Sequence, residues 1–348
     1  MSSIVNEDME FILQDFNIPW EMLYGKTVLI SGISGVLPAY MAETLLYLNQ
    51  RKKAGIRIVG LVRNLDRAEK RFQAYAGNPS LKLYQQDVSE FWEPEEKFDF
   101  IIHAASHASP KFYGADPVGT ILPNVEGTRN LLEIGKRDRV KSVLYFSSGA
   151  IYGIIPAEQY PIKETQCGGG IDPLNPRACY AESKRLGETL CRAYYDQYDV
   201  PAKIVRIAHT YGPGVSLDDG RSFADFISAV VQGKDIVLNS DGSARRPFLY
   251  LADATRAFFT VLLKGVSGEA YNVGYNRDMS ILELAKMLVE MYPEKNLKIR
   301  FAAETRKGYV AIPTQSSCLD IQKIRTLGWE PRISEAEGFR RTIQSILE

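Results

Sequence analysis

The chain is expected to fold as a doubly wound α/β protein, a parallel sheet flanked by helices, with a smaller α/β portion beside it. Three observations predict this. Strand-like and helix-like patterns alternate from residue 26 to about residue 210. The run Lys26-Thr27-Val28-Leu29-Ile30 is short and β-branched, as buried parallel strands are, and passes through a glycine turn into a helix-like stretch, Ala39 to Tyr47. A second apolar run, Val143-Leu144-Tyr145-Phe146, ends in hydroxyls at Ser147-Ser148 and turns at Gly149.

Residues 1–24 form an extension ahead of the first strand. Met9, Ile12, Leu13 and Phe16 have helical spacing and Pro19 ends the pattern, so the extension packs either on the core or on a second subunit. Ser31-Gly32-Ile33-Ser34-Gly35-Val36-Leu37-Pro38 then has the strand, glycine turn and helix context in which a dinucleotide pyrophosphate rests on a helix N-terminus. Gly32 allows the tight turn, and Gly35 a close approach of backbone to phosphate. Pro38 stands where a third glycine is usual. Proline is tolerated in a first helical turn, so the helix survives with altered packing. By itself the segment reads equally as a plain glycine turn.

Ser147 and Ser148 fall at the carboxyl end of a parallel strand, where ligands gather, although two serines there also suit turn chemistry. Tyr180-Ala181-Glu182-Ser183-Lys184 stacks a phenol and an ammonium about one turn apart on one helix face. An unperturbed phenol ionises near pH ~10, and lowering that by about three units takes roughly 4 kcal/mol. The ammonium and the positive ring of an oxidised nicotinamide supply it together. The resulting base takes a proton from a sugar or alcohol hydroxyl while hydride leaves the carbon.

Together these three segments resemble the extended short-chain dehydrogenase/reductase family, the NAD-dependent sugar-nucleotide epimerases and dehydratases, over about residues 25 to 345. The resemblance implies Tyr180 as base, Lys184 as its charge partner and Ser148 as hydroxyl anchor. For the cofactor it implies Gly32, Ser34, Gly35, Val36 and Leu37 at the pyrophosphate and Arg63 and Asn64 at the end of the second strand. Asp87 and Val88 lie by the adenine, Ala104, Ala105 and Ser106 border the cofactor, and Asn124, Tyr180 and Lys184 complete the set. For the substrate it implies His107, Lys111, Ser147, Ser148 and His209. Arg221 and Arg246 hold a nucleotide diphosphate, to which planar, bidentate guanidinium donors are suited. It further implies a Rossmann domain of residues 25–215 and 248–277, a sugar-nucleotide-binding domain of residues 216–247 and 278–348, and a homodimer through the helices near 120–137 and 180–198.

Within the family, Ala108-Ser109-Pro110-Lys111-Phe112-Tyr113, Arg177-Ala178-Cys179-Tyr180 with Lys184-Arg185, and Asp219-Gly220-Arg221 are most similar to UDP-glucuronate decarboxylases. Decarboxylases and 4,6-dehydratases carry a carboxylate shortly after the catalytic hydroxyl, where this chain has Gly149 and Ala150. Galactose-type 4-epimerases have no acid or base there: they oxidise C4, turn the ketone over and return the hydride. Epimerisation is therefore the first expectation. The second is a lyase outcome, decarboxylation or dehydration, with His107, Lys111 or His209 replacing the carboxylate. Keto-sugar redox and a non-catalytic cofactor-binding role are further readings. Arg63, followed by Arg67, Lys70 and Arg71, suits the 2′-phosphate of NADP, whereas an acidic residue there selects NAD. A solvated charged helix is the plain alternative.

Lys plus Arg and Asp plus Glu number 42 each, so no net field recruits nucleic acid or a membrane. No apolar run approaches the ~18 residues a membrane span needs, and no signal-like segment opens the chain. Cys167, Cys179, Cys191 and Cys318 show no CxxC or zinc spacing. A cytoplasmic protein with reduced thiols and no metal is expected. Cys167-Gly168-Gly169-Gly170 reads as a flexible loop ahead of the catalytic helix, a candidate lid.

Overall fold

The computed structural model describes residues 2–166, 169, 171–175, 178–218, 220–302 and 316–348, with the side chains of residues 110, 111 and 157 excepted. Cys167, Gly168, Gly170, Arg177 and Asp219 lie outside the described residues, as does the side chain of Lys111.

Helix α1 (Ser3–Leu13) precedes strand β1 (Thr27–Ser31), α2 (Val36–Lys52), β2 (Arg57–Val62), α3 (Leu65–Arg71), β3 (Leu81–Gln85) and β4 (Phe100–His103). Next come α4 (Pro110–Ala115), α5 (Pro117–Asp138), β5 (Ser142–Ser148), α6 (Ala178–Tyr198), β6 (Ala202–Ile207) and β7 (His209–Tyr211). The chain continues through α7 (Ser222–Gln232), β8 (Ile236–Leu238), β9 (Arg245–Arg246), β10 (Phe248–Tyr250), α8 (Leu251–Lys264) and β11 (Ala270–Val273). It ends with β12 (Met279–Ser280), α9 (Ile281–Met291), β13 (Ile299–Phe301), α10 (Gln322–Arg325) and α11 (Glu335–Leu347).

Seven strands form one parallel sheet in the order β11-β6-β5-β4-β1-β2-β3. The chain winds outward through β2 and β3, then returns to the other side of β1 as β4. The crevice between the ends of β1 and β4 is thus the switch point at which open α/β sheets bind ligands. Alternation sends Val28, Ile30, Phe100, Ile102, Leu144 and Phe146 into one core, shared with α2 and α8. Leu29, Ile101, Val143 and Tyr145 face the other, shared with α5 and α6. Both faces are covered, which is why these strands read as unbroken apolar runs.

The helix after the glycine turn begins at Val36, three residues ahead of the stretch read as helical. Pro38 is its third residue, where a backbone N–H has no intrahelical acceptor to lose. The N-terminal extension packs on its own chain. Met9 and Ile12 are fully buried, and α1 lies against α2, α8 and α11. Asp8 accepts hydrogen bonds from Tyr40 and Tyr250, both at 2.6 Å, and from Arg341 at 2.9 Å. Asp15 receives the Arg256 guanidinium. Phe16, by contrast, is 97% exposed; α1 ends at Leu13, so the helical period no longer governs where Phe16 points. No helix among the described residues is long and apolar enough to cross a membrane.

Candidate active site

The turn after β1 is shaped by close backbone contact. Gly32 has φ +67°, and a Cβ there would sit 2.7 Å from the Cα of Ala105, which follows β4. Gly35 is the N-cap of α2 and offers no side-chain bond to the first turn, so its backbone N–H groups face outward for an anion. A cavity of about 570 Å³ opens here. Gly35, Val36, Leu37, Ala104 and Ser106 line one end, and the Ser106 hydroxyl is buried without a protein partner. Ser34 lies within the turn itself. These features fit a dinucleotide whose pyrophosphate meets the α2 N-terminus.

Phe146, Ser147 and Ser148 close the cavity's middle together with α6. The Lys184 ammonium donates to the Phe146 carbonyl at 2.6 Å and lies 5.0 Å from the centroid of the Tyr145 ring. Tyr180 and Ser148 both line the cavity, and the Ser148 hydroxyl accepts from the Ala150 N–H at 3.1 Å. Burial pushes the Tyr180 phenol above its ordinary value, against opposing pulls from Ser148 and then the Arg221 cation. Burial also lowers Lys184 to about 7. The lowering expected of Lys184 and an oxidised nicotinamide ring acting together concerns the loaded site; in the chain alone burial dominates Tyr180. Desolvation is the largest influence on both groups.

Ser147, expected at the substrate, borders the cavity but turns its hydroxyl to Glu188 at 2.5 Å. Strand alternation explains this, because Ser147 shares the face of Tyr145 and lies under α6. Asn124 stands behind the site. Its amide donates to Thr120 O and to Ser183 Oγ, tying α5 to the helix that carries Tyr180.

The histidines separate. His103 is fully buried, with Nε2 donating to the Pro123 carbonyl at 3.1 Å and Nδ1 accepting from Ser31 Oγ at 2.8 Å. Burial lowers it to about 3, so it is a neutral structural linker. His107 does not line the cavity, contrary to expectation. Its Nε2 meets the Arg63 guanidinium, and its ring packs on Phe112 with centroids 4.6 Å apart. His209 does face the cavity, and burial, then Arg246 and Arg221, lowers it to about 3.

Arg221, His209 and Arg246 also line the cavity, as do Tyr160, Ser316 and Ser317. Among the described residues, no Asp or Glu lines this cavity. Arg63 and Asn64 lie outside it, at the end of β2. Asn64 caps α3 by accepting from the Arg67 N–H, and Arg71 is paired with Glu43 at 3.1 Å. The cationic group expected behind Arg63 is therefore smaller than the sequence suggests. Asp87 and Val88 border a separate small hollow with Leu61 and Asn130.

Two residues were missed in the sequence. Tyr113, from α4, lies over Tyr180 and lines the cavity. Its signal was only its place in an apolar loop near Lys111. Glu188 repeats the Tyr180–Lys184 spacing one turn further on, a signal that was present and unread.

A doubly wound sheet with a nucleotide turn at its switch point, and a Tyr–Lys pair facing a strand-end serine, defines a dinucleotide-dependent enzyme class. The chain belongs to the NAD dependent epimerase/dehydratase family, whose model matches residues 28–274. It is 31% identical over 321 residues to UDP-glucuronic acid decarboxylase 1 of Danio rerio, covering 92% of this chain and 72% of that protein. It is 30% identical over 313 residues to UDP-glucuronic acid decarboxylase 3 of Arabidopsis thaliana, covering 90% and 86%. Among solved structures, UDP-glucose 4-epimerase of Thermotoga maritima superposes with TM-score 0.76 at 22% identity, covering 92% of this chain and 98% of that one. UDP-glucuronic acid 4-epimerase of Bacillus cereus, in complex with UDP-glucuronic acid and NAD, gives 0.75 at 23%, covering 92% and 99%. These structures share the fold; the family assignment makes the protein an NAD(P)-dependent enzyme of sugar-nucleotide epimerase, dehydratase or decarboxylase type.

Proposed function

We propose that the protein oxidises C4 of a nucleotide-linked sugar and returns hydride to the resulting ketone, as an epimerase. The observation that carries this is the absence of any carboxylate among the described cavity residues, with Gly149 and Ala150 following Ser148. Decarboxylation or dehydration needs a group that moves a proton on carbon, and neither residue can. Tyr180 takes the C4 hydroxyl proton, Ser148 orients that oxygen, and Lys184 contributes positive charge beside the phenol. Bound at the α2 N-terminus, the dinucleotide supplies the hydride acceptor and, when oxidised, a positive ring near Tyr180. Arg221 and Arg246 hold the diphosphate, and the neutral His209 between them offers a hydrogen bond without adding charge.

Arg63 favours NADP, supported by the lack of an acidic residue at the end of β2. A homodimer through α5 and α6 is supported by exposed Val118, Leu122, Leu186 and Tyr198 on those helices. The division into residues 25–215 with 248–277 and 216–247 with 278–348 is supported by strand pairing: the seven-stranded sheet is built from the first set, and β8 with β13 and β9 with β12 pair within the second.

A second reading, decarboxylation, is favoured by the named relatives. Incubation with a panel of UDP- and dTDP-linked hexoses and UDP-glucuronic acid, with products resolved by mass spectrometry, decides between them. A new species of unchanged mass supports epimerisation; loss of carbon dioxide or water supports the lyase reading.

A further inference from the structure

Tyr180, Lys184 and Glu188 recur every four residues on α6 and so share one face. Opposite them run three consecutive residues at the end of β5. Ser148 lines the cavity with Tyr180, the Phe146 carbonyl receives Lys184, and Ser147 donates to Glu188 Oε1 at 2.5 Å. Glu188 is 8% exposed and bound from below as well. Arg206 donates Nε to Oε1 at 3.0 Å and Nη2 to Oε2 at 2.7 Å. Ser147, Arg206 and Asn272 lie side by side in register on β5, β6 and β11. Tyr152 links the last two, accepting from Arg206 at 2.9 Å and donating to Asn272 at 2.7 Å.

We propose that Glu188 is a positioning residue for the Tyr180–Lys184 pair: clamped by Ser147 and Arg206, its carboxylate sets the register of α6 against the end of β5 and holds a negative charge one helical turn from the Lys184 ammonium. This goes beyond the choice between epimerase and lyase, since either reaction uses the same pair.

The groups facing Lys184 leave Glu188 as its source of negative charge. From β4, His103 is neutral because burial lowers it to about 3. From β5 come the Tyr145 ring, whose phenol burial pushes well up, and the Phe146 carbonyl. From α6 itself come Tyr180, raised by burial, and Cys191, whose thiol burial also pushes up. Both stay neutral near pH 7. Cys191 and then Glu188 oppose the burial that lowers Lys184 to about 7; the buried thiol is neutral near pH 7, so Glu188 is the anion among the described groups that face the ammonium. Arg206 shields part of that field, so the expected effect is modest.

The test needs neither substrate nor cofactor, which separates its outcome from that of the proposed reaction. The intact protein is labelled with 13C-lysine, and the Lys184 resonance is assigned by its loss in Lys184→Met and followed by NMR from pH 5 to 10. Glu188→Gln is expected to move the Lys184 midpoint to lower pH by roughly half a unit, less than the one to three units an unshielded neighbouring charge produces, because Arg206 shields the carboxylate. Glu188→Asp, which keeps the charge, is expected to restore most of it. A purely structural glutamate would lower thermal stability in Glu188→Gln and leave the midpoint in place, and that result overturns the proposal. If Glu188→Gln does not fold, Ser147→Ala serves instead. It keeps both charges but frees the carboxylate to withdraw onto Arg206, so the midpoint falls; an unmoved midpoint there also overturns it.

Discussion

The ring of Tyr113 lies flat against that of Tyr180, with centroids 4.9 Å apart and planes within 14°. The Tyr113 hydroxyl is turned aside, donating to the Ala108 carbonyl at 2.9 Å. Its apolar face therefore covers the phenol proposed as base, and burial is the leading cause of that phenol's raised pKa. The covering ring and the base come from separate elements, α4 and α6.

Removing that cover shifts the pH dependence of turnover. A base works once deprotonated, so activity rises with pH through its pKa. Tyr113→Ala admits water, lowers the Tyr180 pKa and moves the rising limb of kcat against pH to lower pH. Tyr113→Phe keeps the ring and leaves the limb where it is. Identical limbs in the wild type and Tyr113→Ala would show that the stack does not set the burial of Tyr180.

Tyr180→Phe is expected to lower kcat by roughly 10²–10⁴-fold, the usual contribution of a positioned acid–base group, with little change in cofactor affinity. Turnover at the wild-type rate, measured on whichever sugar nucleotide proves to be the substrate, would remove Tyr180 from the mechanism.

Lys184 carries a stability cost with a defined pH window. Its value falls from the ordinary 10.5 to about 7 in the folded chain. Between those values the unfolded chain holds the extra proton, so stability rises with pH, and the cost is full below about pH 7. Lys184→Met removes this contribution. The expected result is a melting temperature that climbs less from pH 7 to 9.5 than in the wild type, read by circular dichroism. Parallel curves for the two proteins would mean that Lys184 is not desolvated in solution.

Asp8 joins Tyr40 of α2 to Tyr250 of β10 and Arg341 of α11, all beyond its own helix. Asp8→Ala is expected to cost about 2–3 kcal/mol, because it leaves two buried phenols without their acceptor, while Arg341 keeps its pairing with Glu337. Urea denaturation checks this. A loss below ~1 kcal/mol would place the extension among surface contacts, which typically contribute that little.

Arg63→Asp is expected to reverse cofactor preference, since a carboxylate repels a 2′-phosphate and accepts from a 2′-hydroxyl. Isothermal titration with NAD and NADP measures the ratio for both proteins. An unchanged ratio would take Arg63 out of cofactor choice.

Local spacing accounts for what could be read in advance. A four-residue repeat puts Tyr180 and Lys184 on one helix face wherever the helix goes, and a β-branched run that meets Gly32 makes a glycine turn at a strand end under any tertiary arrangement. Strand alternation could also have turned Ser147 towards α6, because Tyr145 two residues earlier faces that way. The charged segment after Arg63 was less legible, since whether Arg71 points at a cofactor or at Glu43 depends on how α3 sits against α2.

The sequence by itself determined the alternation of strands and helices, the glycine turn after β1 and the shared helix face of Tyr180 and Lys184, because each follows from neighbours within a turn or a strand; Ser148 joined them only through the family resemblance. Tertiary structure alone decided the rest. It set His107 against Arg63, held His209 neutral between two arginines, laid Tyr113 over Tyr180 and closed Asp8 onto Arg341 from the far end of the chain. The physical reason is common to all four: burial and long-range pairing decide which charges survive and which groups face each other, and neither is a property of a short stretch of residues.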